Sequence, residues 1–172
     1  MASANKEKKK QLFANAAAMN PALRQAKTWI TVIAFFWIIT RIAVLLLQSY
    51  CVGKEYLIIN TAQASNYASM AVTVLFAIGI INGTKGFAIL SMVGGVVMVI
   101  QTFTGDVGIM LSPLYDIPLA LRLYTMAFLL TSYGQLAGML LILLPKKCRT
   151  YFAVMTAINK QITTGTMQVP KE

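Results

Sequence analysis

Apolar positions along this chain gather into long stretches separated by short polar segments, and the spacing of those stretches predicts the elements. The first, Trp29 to Leu47, runs nineteen residues with only Arg41 and a few hydroxyls interrupting it. That length is close to the ~20 residues needed to cross about 30 Å of hydrocarbon, and it predicts a spanning helix. The segment before it, with Lys6, Lys8, Lys9, Lys10, Arg24 and Lys27, is too long and too polar for the leading region of a cleaved signal peptide. Tyr50 before Cys51 is not the small residue of a lipoprotein cleavage site, so the helix is read as retained.

A second stretch covers about 67–82 and ends in Asn82-Gly83-Thr84-Lys85-Gly86. Asn-Gly tolerates positive φ, so this is turn chemistry. A third stretch, about 87–102, follows at once and predicts a tight helical hairpin with the second. Between Phe103 and Leu121, Gly105, Gly108, Pro113 and Pro118 argue against a regular spanning helix and predict a loop, a short surface helix or a re-entrant segment. The last stretch, about 123–144, is closed by Pro145 and the basic Lys146, Lys147 and Arg149.

The fold class expected is therefore all-α: a polytopic membrane protein, a bundle of four transmembrane helices with amphipathic cytoplasmic arms. The division is 1–28 for a basic arm, 29–145 for the membrane domain and 146–172 for a basic tail. Leu12, Ala16, Met19, Leu23 and Ala26 recur at helical spacing in the first arm, broken by the helix-start signal Asn20-Pro21. Tyr151, Met155, Ile158 and Ile162 form a similar stripe in the tail, ahead of a frayed end from Thr163. Such stripes serve as anchors on anionic lipid or as docking faces for a membrane partner.

Composition sharpens this picture. Only 12% of residues are charged and 58% are apolar, against about 25% charged in ordinary soluble domains. Basic residues outnumber acidic ones by fifteen to five, and with both termini inside nearly all of them fall on the cytoplasmic side, as the positive-inside rule requires. They flank apolar stretches, which fits an anionic membrane surface and excludes nucleic acid as the expected partner. The location expected is the cytoplasmic or plasma membrane, and Cys51 and Cys148 then lie on opposite faces, beyond disulfide reach.

The chain lacks histidine, the commonest general base and metal ligand. It also lacks the Gly-x-Ser-x-Gly, Walker, Cys-x-x-Cys and His-Glu-x-x-His motifs, so no catalytic site, metal or cofactor is expected. Arg41 is the costly residue, since a cation at mid-span costs at least about 2.5 kcal/mol on insertion scales. It either snorkels outward or faces the bundle, pairing with the outer-face acids Asp106 or Asp116. Asn66, Ser69 and Thr73 at i, i+3 and i+7, with Gln135, Thr131 and Ser132 on the last helix, either line a solute path beside Arg41 or make interhelical hydrogen bonds. The small-residue pairs Gly79 with Gly83, Ser91 with Gly95 and Gly134 with Gly138 predict close helix packing, within the bundle or between copies.

The function expected is that of a non-enzymatic small subunit or accessory component of a membrane assembly, with other membrane subunits or further copies of the chain as partners. The alternative is a small oligomeric transporter or channel for a small, anionic solute, with Arg41, Asn66, Ser69, Thr73 and Gln135 along the path. A membrane enzyme acting through Asp106 or Asp116 is the third reading.

Overall fold

The computed structural model describes residues 2–56, 62–104, 113 and 116–164. Among these the chain is all-helical, with six helices: α1 (Ala2–Met19), α2 (Ala22–Gly53), α3 (Ala62–Ile81), α4 (Lys85–Thr104), α5 (Leu119–Leu143) and α6 (Lys146–Thr164). Two of them, α2 and α5, are long and apolar enough to cross a membrane, while α3 and α4 carry the shorter apolar segments Tyr67–Ile81 and Lys85–Ile100.

The helix ends follow local chemistry. The break between α1 and α2 falls at Asn20-Pro21, where the Asn20 side-chain oxygen accepts the Ala22 amide at 3.1 Å and Pro21 fits the first turn. The helix therefore runs unbroken through residue 28. The first apolar stretch belongs to a helix of 32 residues that starts at Ala22, about 48 Å long at 1.5 Å per residue. Pro118 likewise starts α5 ahead of Leu123, its carbonyl accepting the amides of Leu121 and Arg122. The tail is helical through Thr164, one residue past the expected start of fraying.

The α3–α4 hairpin forms as expected. Gly83 takes φ of +87°, its amide reaches the Ile80 carbonyl, and the Thr84 amide reaches that of Gly79, the paired bonds of a Schellman stop. Gly83 is therefore a turn residue, and an added Cβ there would also overlap the Met155 side chain of α6. The same motif ends α2: the Glu55 amide bonds Val52 and the Tyr56 amide bonds Cys51, with Glu55 held at φ of +61°.

Packing centres on α2 and α5. These helices run antiparallel, with Trp37 bonded to Gln135 and Gly138 against Ile33. Helix α3 packs on α2, α4 packs on α5, and α1 and α6 pack on each other and on the start of α2. An added Cβ at Gly95 would lie 3.2 Å from the Leu136 backbone, and one at Gly138 would lie 2.9 Å from Ile33. Gly134 faces Phe36 and Gly79 faces the Phe87 ring. These four glycines thus each meet another helix within the chain.

The arms have apolar stripes that cover one another. Tyr151, Phe152, Met155 and Ile158 of α6 are buried together with Ala17 of α1, and Phe13 meets Tyr151 edge to face at 5.9 Å. The Tyr151 hydroxyl donates to the Ile81 carbonyl at 2.5 Å, tying α6 to the end of α3. Burial pushes that hydroxyl up to about 12 from its ordinary 10.0. It also raises the Cys148 thiol, against an opposing pull from Lys147.

Polarity is distributed in reverse of a water-soluble bundle. Thr40, Gln48, Thr73, Ser91, Thr102, Thr125, Thr131, Ser132 and Gln135 are buried, whereas Val32, Phe35, Ile39 and Leu46 of α2, Leu75 of α3, Val97 and Ile100 of α4, and Met126 and Leu130 of α5 are exposed.

Candidate functional site

Between α2, α3, α4 and α5 lies a partly open cavity of about 240 Å³, far above the ~10–15 Å³ that one water requires. Helical spacing builds each wall. Trp37 and Arg41 of α2 stand four apart on one face; Ser69, Thr73 and Phe76 of α3 follow at i, i+4 and i+7; Ser91, Gly94 and Met98 of α4 follow at i, i+3 and i+7; and Gln135 of α5 closes the set.

Of the five residues proposed from sequence to line a path, Arg41, Ser69, Thr73 and Gln135 meet here. Asn66 lies three residues before Ser69 on α3, and its side chain falls outside the described residues. Thr131 and Ser132 are buried away from the cavity lining, and their hydroxyls donate to Ala127 and Phe128 carbonyls one turn back, a local bond that uses the hydroxyl proton. Thr73 does the same to the Ser69 carbonyl at 2.8 Å.

Gln135 is the organiser of the cavity. Its side-chain oxygen accepts the Trp37 indole N–H at 3.1 Å, and its amide nitrogen donates to the Ser91 carbonyl at 2.6 Å. One amide therefore links α2, α5 and α4, in a low-dielectric setting where unmade bonds are costly. The small residue at Gly94 makes room for it, since a Cβ there would sit 3.4 Å from the Gln135 nitrogen.

Two polar groups on the cavity wall remain unmatched. Arg41 donates through one guanidinium nitrogen to the Met98 sulfur, a weak acceptor, while its Nε is buried without a partner. The Ser91 hydroxyl is also buried without a partner, on a residue only 2% exposed. Arg41 thus faces the interior of the bundle. Asp116 is exposed ahead of α5, and among the described residues the Met98 sulfur is the hydrogen-bond partner of Arg41. Asp106 lies outside the described residues.

What the cavity offers is a planar cation whose Nε has no partner, the hydroxyl residues Ser69, Thr73 and Ser91, and an apolar wall of Trp37, Phe76 and Leu90. This arrangement suits an acceptor-rich, negatively charged group. Among the described residues no group of three His, Cys, Asp or Glu side chains gathers to hold a metal ion. Sequence reasoning missed Trp37, Ser91 and Met98; the i, i+4 relation of Trp37 to Arg41 was the available signal, whereas Ser91 read equally well as a packing residue. Comparison with protein-family models, curated proteins and solved structures finds no match to this chain.

Proposed function

We propose that the chain is a non-enzymatic, four-span membrane protein that binds a small anionic solute at Arg41 and passes it along the interior of the helix bundle. The observation that carries this reading is a part-buried Arg41, with no acidic partner among the described residues, on a cavity wall beside the unpartnered Ser91 hydroxyl. A cation desolvated in this way is costly, and residues of this kind inside membrane segments mark solute and ion pathways. The four-span arrangement is supported by the reversed polarity, because apolar faces on four helices at once would form an exposed patch far larger than soluble monomers carry.

Orientation with both termini cytoplasmic is supported by charge. The basic α1, the start of α2, the 82–84 turn and the basic α6 all gather at one end, as the bonds of Lys9 to Asn82 and Tyr151 to Ile81 require. The other end has Lys54 and Arg122 against Glu55 and Asp116.

Binding is tested on purified full-length protein by thermal unfolding against a panel of chloride, nitrate, phosphate, acetate and benzoate. At 100 times its Kd a bound anion stabilises the folded form by about 2.7 kcal/mol. At least one anion is expected to raise the melting temperature saturably in the wild type and not in Arg41→Gln. Equal responses in both proteins would overturn the proposal.

A second reading, an accessory subunit of a membrane assembly, is favoured by one feature. An apolar groove between α1 and α6 is lined by Leu12, Leu23, Val154 and Ile158, and Met19 at its edge is 83% exposed. Purification in mild detergent from native membranes distinguishes the two: a stoichiometric foreign chain supports the subunit, and this chain alone supports the transporter.

A further inference from the structure

At the basic end of the bundle, a second recess of about 460 Å³ opens between α1, the start of α2, the α3–α4 turn and α6. Four ammonium groups, Lys6, Lys9, Lys10 and Lys27, line it with a single acid, Glu7, and the floor is made by Phe13, Tyr151 and Asn82. We infer that this recess is a binding site for a phosphate group carrying two or more negative charges, presented as the headgroup of an anionic lipid.

Three observations converge on it. The lysines come from two helices and are brought together by tertiary packing, since Lys9 of α1 reaches the turn, its Nζ 3.3 Å from the Asn82 carbonyl. Lys27 of α2 lies over the Phe13 ring at 4.9 Å. The like charges outnumber the single acid: burial, with Lys27 adding to it, holds Lys9 below its ordinary value. An arriving anion relieves that repulsion, so the site gains electrostatic energy that an isolated surface lysine lacks.

The third observation is position. Lys27 precedes by two residues Trp29, which opens the apolar stretch, is 41% exposed and has the Lys147 ammonium 5.6 Å from its ring. Exposed Trp beside Lys marks the level of lipid headgroups, and basic pockets at the cytoplasmic ends of membrane helices suit multiply charged headgroups. Lysine point charges suit a phosphate approached from several sides. The inference rests on α2 crossing a membrane, and it is independent of the Arg41 cavity.

The experiment is native mass spectrometry of the full chain in mixed micelles holding equal amounts of phosphatidylcholine and cardiolipin. Wild type is expected to retain cardiolipin preferentially. Lys9→Gln with Lys27→Gln is expected to lower that affinity by about tenfold or more. Lys85→Gln with Lys160→Gln removes the same charge from residues that do not line the recess, and is expected to change affinity by less than about twofold. Lys6→Gln with Lys10→Gln, both away from the packed interface, repeats the test should the first pair perturb folding.

Equal losses in recess and control variants, or no preference for cardiolipin in wild type, overturn the inference. If pyrophosphate binds with the same Lys9 and Lys27 dependence while cardiolipin is not retained, the phosphate site stands and its source is a free anion instead. Arg41→Gln is expected to retain cardiolipin as wild type does, so failure of the cavity and failure of the recess are separately visible.

Discussion

Gln135 joins three helices through one side chain, accepting from Trp37 and donating to the Ser91 carbonyl. Gln135→Leu leaves the buried indole N–H unsatisfied, which costs about 1–3 kcal/mol; thermal unfolding in detergent is expected to show the drop, and Gln135→Glu is expected to keep the indole bond. Arg41→Leu has the opposite sign. It removes a desolvated cation from an apolar helix, so the variant is expected to be more stable than wild type while losing anion binding, whereas a purely structural Arg41 would leave a less stable protein. Tyr151 gives a pH dependence. Its hydroxyl is pushed from 10.0 up to about 12 in the folded chain, so between those values the unfolded chain has lost the proton and the folded chain still binds it. Stability is therefore expected to fall as pH rises through that window, and the fall is expected to be shallower in Tyr151→Phe. The cost of Arg41 was legible from composition, because a cation in an apolar stretch is conspicuous. Its partner was not, because Met98 carries no sequence signal, and the acids that looked complementary lie elsewhere or outside the described residues.

At the scale of elements, each helix follows from apolar length and from its stop signals. Asn82-Gly83 was readable as a turn because a positive φ there needs glycine. The stop at the end of α2 was not readable, since Glu55 fills the left-handed position that glycine normally takes. Glu55→Gly is accordingly expected to stabilise the chain by up to about 1 kcal/mol, measured by thermal unfolding. Gly95→Ala is expected to do the reverse, by about 1–3 kcal/mol, because the new Cβ meets the Leu136 backbone and not the movable end of a side chain. The arms show where pattern reading ends. The stripe containing Tyr151, Met155 and Ile158 announced an apolar face, but periodicity carries no information about what covers that face. Here it is the chain's own α1, α2 and α3 end, through Phe13, Ala17 and the Ile81 carbonyl.

The whole molecule combines an apolar exterior, a hydroxyl- and amide-bearing interior and a strongly basic end. Topology has its own test. Cys51 and Cys148 are both buried, so the native chain is expected to resist impermeant maleimides, leaving a clean background for introduced thiols. On intact cells Glu55→Cys is expected to be labelled and Lys160→Cys to be protected; the reverse pattern would invert the proposed orientation. The central claim is that an anion occupies and traverses the Arg41 cavity. Its most direct test is efflux from proteoliposomes loaded with the anion that stabilises the wild type, comparing wild type with Arg41→Leu at matched protein content. The account predicts saturable efflux from wild-type vesicles and background leakage from Arg41→Leu vesicles, and efflux that is absent from both or equal in both would contradict it.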